Sequence, residues 1–112
     1  MAISTDNWKT QIRKGYLELC ILLLVKKQTK VYGFNLLEKL AEVSLDVKEG
    51  TLYPLLNRMS ADGLLAATWE TENLKGHPRK FYSLTKEGQH FLNELDEEFE
   101  QMVSIYRKLA KK

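Results

Sequence analysis

Lys48 to Gly63 reads KEGTLYPLLNRMSADG, and its two sides differ in kind. Leu52, Leu55, Leu56 and Met59 recur at the i, i+3, i+4, i+7 spacing that places apolar side chains along one stripe of a helix. At about 100° per residue the opposite side carries Gly50, Thr51, Tyr53, Pro54, Asn57 and Arg58. A side that merely meets water is usually rich in Glu and Lys. This one is small and hydrogen-bonding, with no acid between Gly50 and Ala61, as a helix lying against phosphates and base edges in a major groove requires. The helix is expected to begin near Lys48, where Asp46 and Glu49 have capping-box spacing, and to stop at Asp62-Gly63, with glycine just past its end. Proline in a helix interior costs ~3 kcal/mol, so Pro54 favours a late start near Gly50.

Upstream, Tyr32 to Val43 has Gly33, Leu36, Leu37, Leu40 and Val43 at helical spacings, and Ser44-Leu45-Asp46 forms the turn into the helix above. A first helix from about Asn7 to Lys27 is amphipathic through Trp8, Ile12 and Tyr16. Its second half is apolar nearly all round and should be enclosed, with Thr29-Lys30 as the break. Downstream, the strand-like runs Leu64–Glu70 and Arg79–Leu84 flank the polar loop Asn73-Leu74-Lys75-Gly76-His77-Pro78, a hairpin with a long tip. Thr85 is an N-cap candidate for a last helix running from Lys86 to about Leu109. The fold class is mainly α (α+β): a winged helix-turn-helix with a two-stranded wing and a long C-terminal helix. Residues 1–85 form the winged unit and 86–112 the last helix.

Charge orients this arrangement. Lys75, Arg79 and Lys80, with Gly76 and His77 between them, fall within six residues that include no acid, whereas Glu87 to Glu100 carries six acids and no Lys or Arg. The hairpin would be drawn to a polyanion and the start of the last helix repelled by it. Over the whole chain the formal charge is only +2, so placement matters and bulk charge does not.

The last helix calls for a partner. Leu92, Leu95, Phe99, Met102, Tyr106 and Leu109 follow a heptad seam, which Phe91, Val103 and Ile105 broaden. Some 24 residues make a rod ~36 Å long, more than a small domain covers, and soluble monomers avoid exposing large apolar patches. Pairing across a two-fold axis is expected to bury it, with Trp8 and Ile12 of the first helix in the same interface. Two helix-turn-helix units so related would meet half-sites about one helical turn (~34 Å) apart.

The remaining composition excludes other classes. At 112 residues, 44% hydrophobic and 29% charged, the chain is one globular domain's worth of sequence. Its most apolar run, Tyr16 to Val25, is half the roughly 20 residues a membrane span needs, and the chain is expected in the cytoplasm, with no membrane partner. One cysteine and two histidines leave too few ligands for a Cys/His zinc site, so no metal and no cofactor are expected. Cys20 lies in the most apolar helix, where a thiolate is suppressed. No paired carboxylates or nucleophile evidently converge on His77 or His90, which argues against an enzyme.

Longer blocks strengthen this reading. Val31-Tyr32-Gly33-Phe34, Glu49-Gly50-Thr51-Leu52-Tyr53-Pro54-Leu55-Leu56, Asp62-Gly63-Leu64-Leu65 and Arg79-Lys80-Phe81-Tyr82-Ser83-Leu84-Thr85 followed by Gly88 resemble the PadR family of bacterial transcriptional regulators over about Leu17 to Gly88. The resemblance implies a homodimeric repressor that binds a double-stranded operator and releases it on binding an inducer. It implies Tyr32, Thr51 and Tyr53 at the DNA surface, Lys48, Asn57 and Arg58 nearby, and the wing cations on phosphate. A single C-terminal helix resembles the family's short form, some members of which take drug-like aromatic compounds in the dimer pore. Trp8, Phe99, Met102 and Tyr106 are the candidates to line such a pocket here, although the tryptophan of multidrug-binding members has no counterpart in this last helix. The alternatives are a winged module that binds a protein and a regulator without an effector.

Overall fold

The computed structural model describes residues 3–70 and 79–111. Helix α1 spans Asp6–Gln28, a short strand β1 Val31–Tyr32, α2 Gly33–Glu42, α3 Glu49–Ala61, strands β2 Leu65–Glu70 and β3 Arg79–Leu84, and α4 Lys86–Ala110. The hairpin loop with Lys75, Gly76 and His77 lies outside the described residues.

One core joins these elements. Leu17, Leu19, Ile21, Leu22 and Val25 of α1 meet Leu36 and Leu40 of α2, Leu52, Leu56 and Met59 of α3, Tyr82 of β3 and Leu92 of α4. Burying a leucine side chain is worth about 1.5–3 kcal/mol, so this shared cluster sets how the helices sit. The enclosure expected for the second half of α1 is observed, whereas Trp8, Ile12 and Tyr16 in its first half stay exposed.

The two strands expected for the wing, β2 and β3, pair antiparallel, and the short strand β1, which was not expected, joins them. The result is a three-stranded antiparallel sheet in the order β1-β3-β2, with Val31 opposite Tyr82 and Tyr32 opposite Phe81. Tyr32 therefore closes a strand, and α2 begins one residue later, at Gly33. Two residues carry no readable alternation. Their pairing is a long-range choice made because β3 would otherwise leave one edge of its backbone groups unpaired.

Both helices of the helix-turn-helix end in the same device. At the end of α3, Gly63 has φ +82°, its N–H reaches the Ser60 carbonyl at 3.1 Å, and Leu64 N–H reaches Met59 at 3.0 Å. This is a Schellman motif, and it fulfils the stop expected at Asp62-Gly63. The end of α2 repeats it with Ser44 at φ 64°, Ser44 N–H to Ala41 at 2.9 Å and Leu45 N–H to Leu40 at 2.8 Å. The expected Asp46–Glu49 box does not form. Lys48 occupies the N-cap position without a side-chain bond, and the Asp46 carbonyl instead accepts from the Arg13 guanidinium.

A start at Glu49 leaves Pro54 inside α3. The carbonyl that loses its intrahelical donor is that of Gly50, an exposed residue, so water can satisfy it. Thr85 caps α4 as expected, accepting from Gly88 N–H at 2.9 Å. Leu92, expected at a dimer interface, is instead 2% exposed within its own protomer, because α4 packs against α1 and brings Leu92 into the core. No helix among the described residues is long and apolar enough to cross a membrane.

Two substitutions test the packing. A Cβ at Gly88 would collide with the Leu64 carbonyl oxygen, which is backbone and cannot turn aside. Gly88→Ala should therefore cost about 1–3 kcal/mol or more in urea unfolding. Ser44→Gly relieves a left-handed serine and should stabilise the protein by roughly 0.5–1 kcal/mol in the same measurement.

Candidate nucleic-acid interface

With Leu52, Leu56 and Met59 in the core, the other side of α3 is turned outward. Lys48, Gly50, Thr51, Tyr53, Pro54, Asn57 and Arg58 are all exposed. Their roles are not equal. The Arg58 guanidinium lies 3.4 Å from Glu18 of α1 and 3.5 Å from Asp62. Such an exposed pair is worth about 0–1 kcal/mol, yet it draws Arg58 back from the face to which its spacing assigns it. Tyr53 packs its ring against the start of α2: a Cβ built at Gly33 would lie 2.5 Å from the ring, which would have to turn aside.

That contact links α3 to the root of the wing. Beside Gly33, the Tyr32 ring stacks on Phe34 with centroids 5.7 Å apart and 11° between planes. The Arg79 guanidinium stands 6.0 Å from the Tyr32 ring and 5.8 Å from the Phe34 ring. The Lys30 ammonium sits 4.2 Å over Phe81, and that of Lys80 lies 5.2 Å from the Trp69 ring. Each cation thus rests on an aromatic face, an attraction worth about 0.5–1 kcal/mol at an exposed site, and is held out toward solvent. Asn35 Oδ1 accepts from the Tyr32 N–H at 3.4 Å, while the Tyr32 phenol donates to the Glu70 carboxylate.

Sequence reasoning missed Lys30, Phe34, Trp69 and Glu70. Lys30 sits in what reads as a break. The aromatics of this surface are separated by up to 49 positions in the chain and come together only through strand pairing. A denser reading of Val31-Tyr32 as β-branched and aromatic was the one available signal.

A second set of residues lies away from this surface. A groove of about 300 Å³ between α1 and α4 is lined by Ile12, Tyr16, Leu19, Leu95, Phe99 and Met102, among others. Tyr16 stacks on Phe99 across it at 5.8 Å. Phe99 and Met102 are thus brought together. Trp8 lines a neighbouring groove toward Leu45 and Asp46, and Tyr106 stands further along α4 with 68% of its surface exposed. Leu95 and Phe99 are half-buried on their own core. Burial pushes the Cys20 thiol up against the opposing effect of a hydrogen bond with Tyr16, the reverse of what a nucleophile requires.

The helix order, the close α2–α3 approach and the cation-bearing sheet define a winged helix-turn-helix protein. The chain belongs to the family described as the transcriptional regulator PadR-like family, whose model it matches over residues 21–94. It is similar to the X-ray structure of a PadR-like transcription factor from Bacteroides fragilis, at 45% identity over 94% of this chain and 100% of that one, with a TM-score of 0.80. It is also similar to a PadR family transcriptional regulator from Eggerthella lenta, at 30% identity over 96% and 93% of the two chains, with a TM-score of 0.83. A transcriptional regulator of Mycobacterium tuberculosis is 38% identical over 65 residues, 58% of this chain and 59% of that protein. The chain is a transcriptional regulator and not an enzyme.

Burial raises the Tyr82 phenol above its ordinary 10.0, with nearby Tyr53 adding to the shift, and burial followed by the Glu49 charge raises Tyr53. A raised folded-state value means stability that is complete below the unfolded value and lost as pH rises through the folded one. Thermal melting should therefore fall as the pH passes 10, and Tyr53→Phe should flatten that fall.

Proposed function

We propose that the chain is a sequence-specific DNA-binding repressor that works as a homodimer and is released by a small-molecule inducer. The observation that carries DNA binding is the continuous surface from α3 through Tyr53, Gly33 and Tyr32 to Arg79. Beyond Glu49 at the start of α3 it has no carboxylate from Gly50 to Ala61, and it ends in cations propped on aromatic rings. Gly50, Thr51, Tyr53, Pro54 and Asn57 would face the major groove, with Lys48 at its edge and the wing cations Lys75, Arg79 and Lys80, beside Gly76 and His77, on phosphate. Arg58 joins them by exchanging Glu18 for a phosphate.

Dimerisation is supported by uncovered apolar side chains on two helices. Met102, Ile105, Tyr106 and Leu109 of α4 are 55%, 47%, 68% and 81% exposed, and Trp8 and Ile12 of α1 are 64% and 47% exposed. Residues 1–85 would carry the DNA contacts and 86–112 the pairing, with Leu92 inside the protomer and Leu95 and Phe99 at the margin of the interface. The groove between α1 and α4 would hold a small aromatic effector, Phe99 and Met102 forming its floor and Trp8 and Tyr106 free to close it in the dimer. An effector there would shift operator affinity by changing the spacing of the two α3 helices.

Mobility shifts on the protein's own upstream DNA test the first part. Arg79→Ala and Lys80→Ala should weaken binding to every duplex and lower the salt slope by about one each. Asn57→Ala should relax sequence preference. No retention of any duplex in dilute buffer would favour a winged module that binds protein.

Sedimentation equilibrium tests the second part. The wild type should run at twice the chain mass, and Tyr106→Glu, with helical content unchanged by circular dichroism, should shift it to the protomer. Trp8 fluorescence should respond to planar aromatic compounds in the dimer.

A further inference from the structure

We propose that the Glu70 carboxylate stands in for a DNA phosphate at the root of the wing, occupying the Tyr32 phenol beside Arg79 until the backbone of bound DNA displaces it. The inference rests on the DNA-binding reading above.

Glu70 closes β2, where Arg79 is its register partner on β3. Its Oε2 accepts from the Tyr32 phenol, and that hydrogen bond is the largest cause raising the phenol above its ordinary value, partly offset by the Arg79 charge. The Tyr32 ring is fixed by its stack on Phe34 and its edge contact with Phe81 at 6.2 Å. The Arg79 guanidinium lies over the Tyr32 and Phe34 rings, 6.0 and 5.8 Å from their centroids. A phenol donor with a guanidinium close by is what a phosphodiester would seek, since its two free oxygens accept hydrogen bonds as a carboxylate does. Here the anion is supplied by the protein itself.

A carboxylate on a surface that meets a polyanion is costly to binding unless it does something there. Glu70 does two things at once. In the free protein it keeps the Tyr32 phenol arranged, and against any duplex it repels the incoming phosphate. A duplex whose other contacts are complete overcomes that repulsion, and one bound only through its backbone does not. Glu70 therefore widens the gap between operator and unrelated DNA.

Glu70→Gln keeps the shape and an acceptor for Tyr32 while removing the charge. It should bind an unrelated duplex about 3- to 10-fold more tightly than wild type, because the repulsion of the incoming phosphate is gone. The gain should shrink in a Tyr32→Phe background, and the Tyr32 phenol should titrate closer to 10.0 in Glu70→Gln. Glu70→Ala should gain affinity in the same direction, and Glu94→Gln, an exposed carboxylate of α4, should gain none. If wild type binds duplex and Glu70→Gln binds with equal or lower affinity, or if Glu94→Gln gains as much, the inference is overturned while DNA binding stands. If wild type binds no duplex, both fall.

Discussion

The buried stripe of α3 governs everything outside it. Leu52, Leu56 and Met59 are 0% exposed, and a helix anchored by three such residues has no freedom to roll about its axis. Rolling by one residue, about 100°, would bring Arg58 or Thr51 into the core and push a leucine into water. The carboxylate-free side is thereby held facing solvent. Its orientation costs nothing further once the core has formed, and an interface presented on a rigid element is more precise than one carried on a loop.

Gly33 links that helix to the wing. The Tyr53 ring packs directly on it, beside Tyr32 and Phe34 at the start of α2. Pairing of β1 with β3 then carries Arg79 and Phe81 to the same place. A surface made of one helix, the start of another and a sheet edge is assembled by one close approach and one strand pairing. The aromatic rings in it give long cationic side chains a definite place to stand, which lowers the entropy they would lose on meeting phosphate.

α4 divides its residues between two tasks. Gly88 and Leu92 lock its first turns into the protomer, whereas Met102, Ile105, Tyr106 and Leu109 remain uncovered. The pitch of the heptad seam is uniform along the helix, so spacing alone assigned Leu92 and Tyr106 to the same face and the same role. They differ because the core takes in Leu92 and packs in part on Phe91, Leu95 and Phe99, but reaches no further along α4.

Much of this was legible in the chain itself. The 3.6-residue periodicity of α3, the Asp62-Gly63 stop, the Thr85 cap and the alternation of the wing strands are local signals, each decided within a few residues by backbone geometry and side-chain burial. The element order and the exposed, acid-free side of α3 follow from them. Tertiary structure alone decided the third strand, the ion pairs that draw Arg58 toward α1, the burial of Leu92 and the meeting of Tyr32, Glu70 and Arg79. Those outcomes depend on contacts between segments far apart in the chain, such as Val31 and Tyr82, 51 positions apart, and periodicity carries no information about which segments the core brings into contact.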